Sequence, residues 1–450
     1  MSPRPDEAGY AGGEAAGESG QPEQRSSARR AGGASSAPRV VVVGGGLVGL
    51  SCAYYLACEG ARVVLLERDR LGAGASFGNA GTVAAGHPPL NAPGRVRKAL
   101  GQMLDSRSPL YVQPRWDPGL WRWLLEFARS CTREHVEASM RVLGPLGHDA
   151  LAHFDRLIEE EAIGCEYRRE GYYDVCTTFQ GLREARHEAA IIRDQGYHPE
   201  VLDSHELHRR EPVFGHAVRG GVFYPEARTL HPFRFLEGLA AAARARGAEV
   251  REGVDVVAVL QSGGRAGGVG LRSGDVEHAD AVVLATGPYS LELAGRLGAR
   301  LPVQPGKGYH RDVLMRPGGA PRLRVACVLH ESSVFCTPMD RIVRFAGTME
   351  FSGMNHVMHQ ARLEQLTRAA RHSLPDLGHV KPVSEWCGLR PMASDGLPIV
   401  GRVPGVDGAW VATGHGMLGL TLGPVTGSLI ARDLLQAEPI VPELSPARFG

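Results

Sequence analysis

Arg39–Val40–Val41–Val42–Val43–Gly44–Gly45–Gly46–Leu47–Val48–Gly49–Leu50 is the stretch that decides the fold of this 450-residue chain. An unbroken run of valines is the pattern of a parallel strand buried on both faces. It runs straight into Gly44, Gly46 and Gly49, which have the G-x-G-x-x-G spacing, and then into a helix expected over Leu47–Gly60. A second strand, Arg62–Leu66, ends on Glu67, 23 residues after Gly44. An acid about 20 residues on is where such units bind a ribose hydroxyl. Gly44 is read as the tight turn. Gly46 lets a pyrophosphate approach the backbone, and Gly49 lets helix and strand pack closely. Gly45, Leu47 and Val48 complete the loop and the helix start, whose free N–H groups favour phosphate. The glycines alone would fit any glycine-rich loop of an α/β sheet. Strand, helix, strand and acid in register point to a dinucleotide site.

Composition narrows the class. Hydrophobic residues make up 43% and charged residues 22%, which is ordinary for a globular enzyme. The net charge of +1 gives no basic field for nucleic acid. Cys52, Cys58, Cys131, Cys165, Cys176, Cys327, Cys336 and Cys387 form no C-x-x-C pair, so they read as reduced intracellular thiols and not as a disulfide framework or a zinc site. No metal site is expected. Residues 1–38 are rich in Ala, Gly, Ser, Pro and Glu and read as a disordered leader without the apolar core of a secretion signal. With no run of 18 apolar residues, no transmembrane helix is expected, and the protein is placed in the cytoplasm. Peripheral contact with the inner face of the plasma membrane and an oligomeric or heteromeric assembly stay open.

Further along, Arg68–Thr82 is small, polar and glycine-rich, and its place right after Glu67 suits a loop running along the cofactor. Trp116, Trp121 and Trp123 introduce helical patterns over Leu120–Ser130, Leu143–Glu161 and Arg183–Gln195, and most of these aromatics read as core. A helix is expected over His231–Arg246, strands over Ala248–Arg251 and Val254–Val259, and a hairpin between Gly263 and Gly274. Ala279–Leu284 is a buried strand running into Thr286–Gly287, so it should return to the first sheet. Strands near Gly308–Leu314, Val325–Leu329, Ser333–Thr337 and Val343–Thr348 precede a helix over His359–Ser373. The strand Ala409–Thr413 then feeds Gly414–His415–Gly416–Met417–Leu418–Gly419 and an apolar helix reaching Leu435, a second turn-to-helix site open to negative charge.

In this order the fingerprint, Ser76–Gly81, Ala285–Thr286–Gly287, Gly388–Leu389–Arg390–Pro391, Asp395–Gly396–Leu397–Pro398 and Gly414–His415–Gly416 resemble the FAD-dependent amino-acid oxidase superfamily. Ser76–Phe77–Gly78–Asn79–Ala80–Gly81, Lys307–Gly308–Tyr309 and Gly388–Leu389–Arg390–Pro391 are most similar to the bacterial D-amino acid dehydrogenases, small subunit type. The resemblance spans residues 39–437. It implies an α/β fold: a Rossmann-like FAD-binding domain, as in the D-amino acid oxidase and glutathione reductase folds, interleaved with an α+β substrate domain. The expected division is 39–95 with 222–303 and 384–440 for FAD, and 96–221 with 304–383 for substrate. It also implies that Gly44, Gly46 and Gly49 face the pyrophosphate and that Glu67 binds the adenosine ribose. Arg68, Ser76, Asn79, Ala80 and Gly81 would line the cofactor, Val256 would contact the adenine, and Thr286 and Gly287 would lie near the pyrophosphate. Gly414, Gly416, Met417, Leu418 and Gly419 would surround the flavin ring.

The activity implied is oxidative deamination of a D-amino acid to a 2-oxo acid, with electrons passed to a quinone or another carrier. A planar guanidinium suits a substrate carboxylate, because it takes it by two parallel hydrogen bonds. Arg390 is expected in that role, against a structural salt bridge. Tyr309 is expected to hydrogen-bond the ligand, against facing a domain interface, and His310 and His87 are weaker candidates. His415 is placed at the flavin edge as an acid–base group or a packing residue. Competing readings are a D-proline or hydroxyproline dehydrogenase, a glycine or sarcosine oxidase using oxygen, a non-catalytic FAD-binding subunit, and an NAD-binding dehydrogenase.

Overall fold

The computed structural model describes residues 37–450, except 104, 106–107, 316–321 and 376–380. The expected leader therefore lies outside the described residues up to Ser36. The strand Arg39–Val43 is at the centre of a six-stranded sheet. Across it the order is Ile399–Arg402, Ala409–Thr413, Ala281–Leu284, Arg39–Val43, Arg62–Leu66 and Glu249–Arg251. Every pairing is parallel except that of the first two strands. Ala281–Leu284 does return to the first sheet, with Val40 opposite Ala281. Alternate valines serve opposite faces, as strand geometry requires. Val40 and Val42 pack under the helices Leu47–Cys58 and Pro232–Ala245. Val41 and Val43 pack under the three-stranded meander Val256–Ser262, Arg265–Leu271 and Val276–His278.

The C-terminal helix Gly419–Leu435 lies close on the first helix. Small residues permit this: a Cβ at Gly423 would stand 2.7 Å from Leu47 Cδ2, and one at Gly427 would run into the Ser51 backbone. Both helices therefore present their N-termini at the carboxyl edge of the same sheet.

A nine-stranded sheet forms the other layer. Along its main path the order is Pro382–Ala393, Val303–Leu314, Ile342–Phe351, Val334–Met339, Ala326–Leu329, Tyr172–Cys176, Gly220–Tyr224 and Glu200–Asp203, with Leu110–Val112 added beside Ile342–Phe351. Two strands of this sheet straddle boundaries of the expected division, so that residues 384–393 and 222–224, grouped there with the FAD unit, pair with strands of this layer. Pro382–Ala393 runs antiparallel to Val303–Leu314 from Val303↔Ala393 to Val313↔Pro382. Gly220–Tyr224 joins Tyr172–Cys176 and Glu200–Asp203.

Two further expectations need correction. The helix expected from Leu143 begins at Arg133, where Thr132 Oγ1 accepts the His135 N–H at 3.1 Å, and it runs to Glu160 with Pro145 inside it. Of the three tryptophans only Trp123 is buried. Trp116 is 91% exposed and Trp121 52%. The 118–129 helix turns Leu120 and Trp123 inward, so Trp121 is left on the outer side. Among the described residues no helix is long and apolar enough to cross a membrane.

Candidate active site

The Leu47–Cys58 helix begins where the central strand ends. Gly44 has φ +108°, and a Cβ there would stand 2.5 Å from the Ala285 carbonyl oxygen. A Cβ at Gly49 would drive into the Gly44 carbonyl. Gly46 differs. A Cβ there would meet nothing nearer than Ser76 Oγ at 3.4 Å, so the protein itself leaves room. Its bareness instead keeps the backbone open to a large cavity of about 2350 Å³. That volume exceeds the roughly 300–1,000 Å³ of an ordinary ligand pocket, leaving room for a dinucleotide and a second molecule. Ser76 Oγ accepts the Leu47 N–H at 3.0 Å. Glu67 is fixed at the rim, taking the Gly45 N–H on Oε2 at 2.6 Å and the Asp69 N–H on Oε1 at 2.8 Å. The Arg68 guanidinium lies 4.5 Å above the Tyr289 ring. Leu47, Val48, Glu67, Arg68, Ser76, Asn79, Ala80, Val256, Thr286 and Gly287 all line the cavity. Gly45, Gly49 and Gly81 do not, and act through loop shape.

The loop from Ser76 to Gly81 is held from the nine-stranded sheet. Arg344 forms a bidentate ion pair with Asp312 at 2.8 and 2.9 Å, and its Nη1 donates to the carbonyls of Phe77 (3.3 Å) and Asn79 (2.9 Å). Asn79 Oδ1 accepts the Gly81 N–H at 2.8 Å. Trp386 packs against Gly78, where a Cβ would enter its indole, and stacks on His310 at 5.4 Å. Burial, helped by the Arg344 charge, lowers His310 to about 4 and keeps it neutral. His310 does not reach the cavity.

The second glycine-rich turn closes the opposite wall. Gly414 (φ +72°) and Gly416 (φ +53°) bend the chain, Gly416 N–H donates to the Pro391 carbonyl at 2.8 Å, and no side chain caps the helix from Gly419. Gly414, Gly416, Met417, Leu418 and Gly419 line the cavity, so that N-terminus faces it. His415 also lines it, buried, with Nε2 2.9 Å from Thr426 Oγ1. Burial lowers it to about 4, so it stays neutral and hydrogen-bonded within the protein.

Arg390 lies opposite Gly306 on the edge strand, and its side chain crosses the neighbouring strand. Gly308 makes this crossing feasible, because a Cβ there would enter the Arg390 guanidinium. Nη1 donates to the Thr348 carbonyl at 2.8 Å. Among the described residues no carboxylate pairs with Arg390, and Nε and Nη2 have no hydrogen-bond partner. Burial draws the guanidinium down to about 10, which leaves it cationic at neutral pH. Tyr309, one residue from Gly308, points to the other face. It is buried against the 360–373 helix side, donates to Glu350 Oε2 at 2.8 Å, and does not line the cavity. The expected ligand contact of Tyr309 is therefore replaced by a place in the Lys307–Glu350 core network.

At a further point of the cavity wall, Asp174, Cys176 and His330 bring ligand-capable atoms within 4.8 Å of one another. The sequence reading did not foresee this group, since 156 positions separate Asp174 from His330 and only strand register joins them. His330 Nδ1 and Asp174 Oδ2 satisfy each other at 2.9 Å. His87 lines the same wall, hydrogen-bonded to the Tyr172 hydroxyl, and burial lowers its pKa.

The helix start at Leu47, the open backbone at Gly46 and the fixed Glu67 carboxylate together fit a dinucleotide, and the glycine turn at 414–419 lines the same cavity. Comparison with known proteins agrees. Residues 39–432 match the family described as FAD dependent oxidoreductase. A D-amino acid dehydrogenase of Methylobacterium nodulans is 35% identical over 90% of this chain and 98% of its own length. One from Xanthobacter autotrophicus is 33% identical over 90% and 98%. Among solved structures, the L-proline dehydrogenase from P. horikoshii superposes with a TM-score of 0.72 at 18% identity, covering 92% of this chain and 98% of that one. Glycine oxidase from Geobacillus kaustophilus gives 0.70 at 24%, covering 91% and 99%. With the fold, the cradle and nearly the whole length in agreement, this chain belongs to the family of FAD dependent oxidoreductases.

Proposed function

We propose that the protein oxidatively deaminates D-amino acids to 2-oxo acids and passes the electrons to a quinone or another carrier. The observation that carries this reading is Arg390, a half-buried cation lining the cavity with no acidic partner among the described residues. Such a group calls for an anion, and a carboxylate matches its planar fork. The D-amino acid dehydrogenases that this chain resembles supply the substrate class.

In this reading the six-stranded sheet and its helices hold the cofactor, and the nine-stranded sheet holds the substrate. FAD, when bound, supplies the hydride acceptor for the substrate α-carbon. Arg390 fixes the carboxylate, and so the angle at which the α-carbon is presented. The Gly419 helix N-terminus offers positive potential where negative charge gathers. His415, neutral and bonded to Thr426, shapes the wall. The substrate ammonium gives one proton to water beforehand, and the lone pair of the neutral amine so formed assists loss of hydride from the α-carbon. The eight cysteines are free thiols, which supports a reducing cytoplasmic setting.

An anaerobic titration of the flavin absorbance with paired D- and L-amino acids, including proline and 4-hydroxyproline, tests this. Bleaching by D-forms alone is the expected result. A flavin-loaded protein that no amino acid bleaches would overturn it.

A further inference from the structure

Thr348 is the residue whose backbone holds Arg390, and its own conformation is unusual. It is β-branched yet has φ +60°, a region that such residues rarely enter. The strand pairing shows why. Lys307 pairs with Glu350 and Tyr309 with Gly347, so Gly308 alone faces both Thr348 and Met349. This is a β-bulge, placed where the Arg390 guanidinium lies over Gly308. Glycine would fit the turn without strain, but threonine occupies it. Thr348 is buried, lines the cavity, and its Oγ1 has no hydrogen-bond partner. A buried hydroxyl without a partner is costly unless a ligand satisfies it.

We propose that Thr348 completes the carboxylate site: its carbonyl positions Arg390, and its hydroxyl donates a hydrogen bond to the same substrate carboxylate. This rests on the reading of Arg390 as the carboxylate anchor. The bulge turns the Thr348 carbonyl toward Nη1 and takes up one of the five guanidinium N–H groups. That leaves the Nε–Nη2 edge of the fork for two parallel bonds to the ligand. The hydroxyl then supplies a third donor from the cavity wall, satisfied only when a carboxylate is present.

The test uses the FAD-loaded full chain and three variants. Thr348→Val keeps the shape and removes the hydroxyl. It should raise KM for a D-amino acid about 10- to 100-fold, as expected for losing a hydrogen bond to a charged group. Its kcat should stay within about two-fold, because the hydroxyl holds the carboxylate equally before and during reaction. The protection of Tm by benzoate, a carboxylate that cannot be dehydrogenated, should fall in parallel. Thr348→Ser should restore both readouts. Thr348→Gly should keep or raise the ligand-free Tm while still raising KM. A wild-type enzyme that oxidises D-amino acids, with Thr348→Val unchanged in KM and benzoate protection, overturns this proposal and leaves the function standing. A wild-type holoenzyme inert toward all amino acids overturns both.

Discussion

The strand Arg39–Val43 and the strand Val303–Leu314 are both buried over nearly their whole length, yet they carry opposite chemistry. The first is Arg39 followed by four valines, and it meets the cavity at Val43 and the glycine turn beyond it. The second buries Lys307, His310, Arg311 and Asp312, each with a partner: Glu350 at 3.1 Å for Lys307, the Gly78 carbonyl for His310, Glu385 at 2.6 Å for Arg311 and Arg344 at 2.8 Å for Asp312. A pyrophosphate can be held by N–H groups and a helix end, which need no buried ions. A small charged substrate needs a cation at one fixed place. That cation must sit in a low-dielectric wall without being neutralised by its neighbours. The nine-stranded sheet meets this by pairing every buried charge named here and leaving the half-buried Arg390 without an acid.

The sharpest way to break the first half of the comparison is Gly49→Val. The side chain would collide with the Gly44 carbonyl, so a loss of about 5 kcal/mol is expected, read as insoluble or flavin-free protein. On the other sheet, Glu350→Gln leaves Lys307 as an unpaired buried cation beside Tyr309. Burial alone would raise the Glu350 carboxyl, but bonds from Ser352, Tyr309 and Lys307 hold it below its usual range. Losing that charge should cost about 4 kcal/mol in urea unfolding. A variant of native stability would show that the network does not need the charge. Arg390→Ala separates binding from folding. It should lower kcat/KM about 100-fold, roughly 3 kcal/mol, with flavin content and Tm preserved.

Acid probes both regions at once. His310 and His415 are lowered to about 4 from an ordinary value near 6.5. The unfolded chain therefore binds protons that the folded protein refuses. Their contribution is full above about pH 6.5 and is lost as pH falls toward 4, at about 1.4 kcal/mol per unit for each. Tm should drop between pH 7 and 5, and His415→Asn should flatten that slope. An unchanged slope would mean that His415 takes up its proton without penalty. The smallest effect is expected at Glu67→Gln, which keeps an acceptor for the Gly45 N–H but loses charge. FAD affinity should weaken about five-fold, close to 1 kcal/mol, by fluorescence titration.

What could be read in the sequence follows the same divide. Val40–Val43, Ala281–Leu284 and Ala409–Thr413 announce themselves because a parallel strand buried twice over is a simple apolar run. The glycine spacing then fixes the helix and the cradle. The nine-stranded sheet is less legible. Its strands over 303–314 and 342–351 mix charges with glycines, and the meaning of each charge depends on a partner dozens of residues away. Tyr309 could have been placed correctly by alternation: if Gly308 makes way for Arg390, its neighbour must face the other side. Thr348 could not, because a β-bulge arises from pairing register and leaves no periodic mark. Trp116 and Trp121 show that an aromatic cluster need not be core.

Arg344 ties the cofactor loop to the nine-stranded sheet through its paired contacts with Asp312 and the carbonyls of Phe77 and Asn79. For traffic this amounts to a closed hinge. Swinging the sheets apart like a clamshell would strip a buried guanidinium of charge-assisted bonds worth about 1.5–3 kcal/mol each. At the rim, Leu100 and Trp121 line the cavity and are more than half exposed. Exposed side chains there change rotamer within picoseconds to nanoseconds. The contrast is between walls tied together by a buried guanidinium and a rim whose side chains are free to turn.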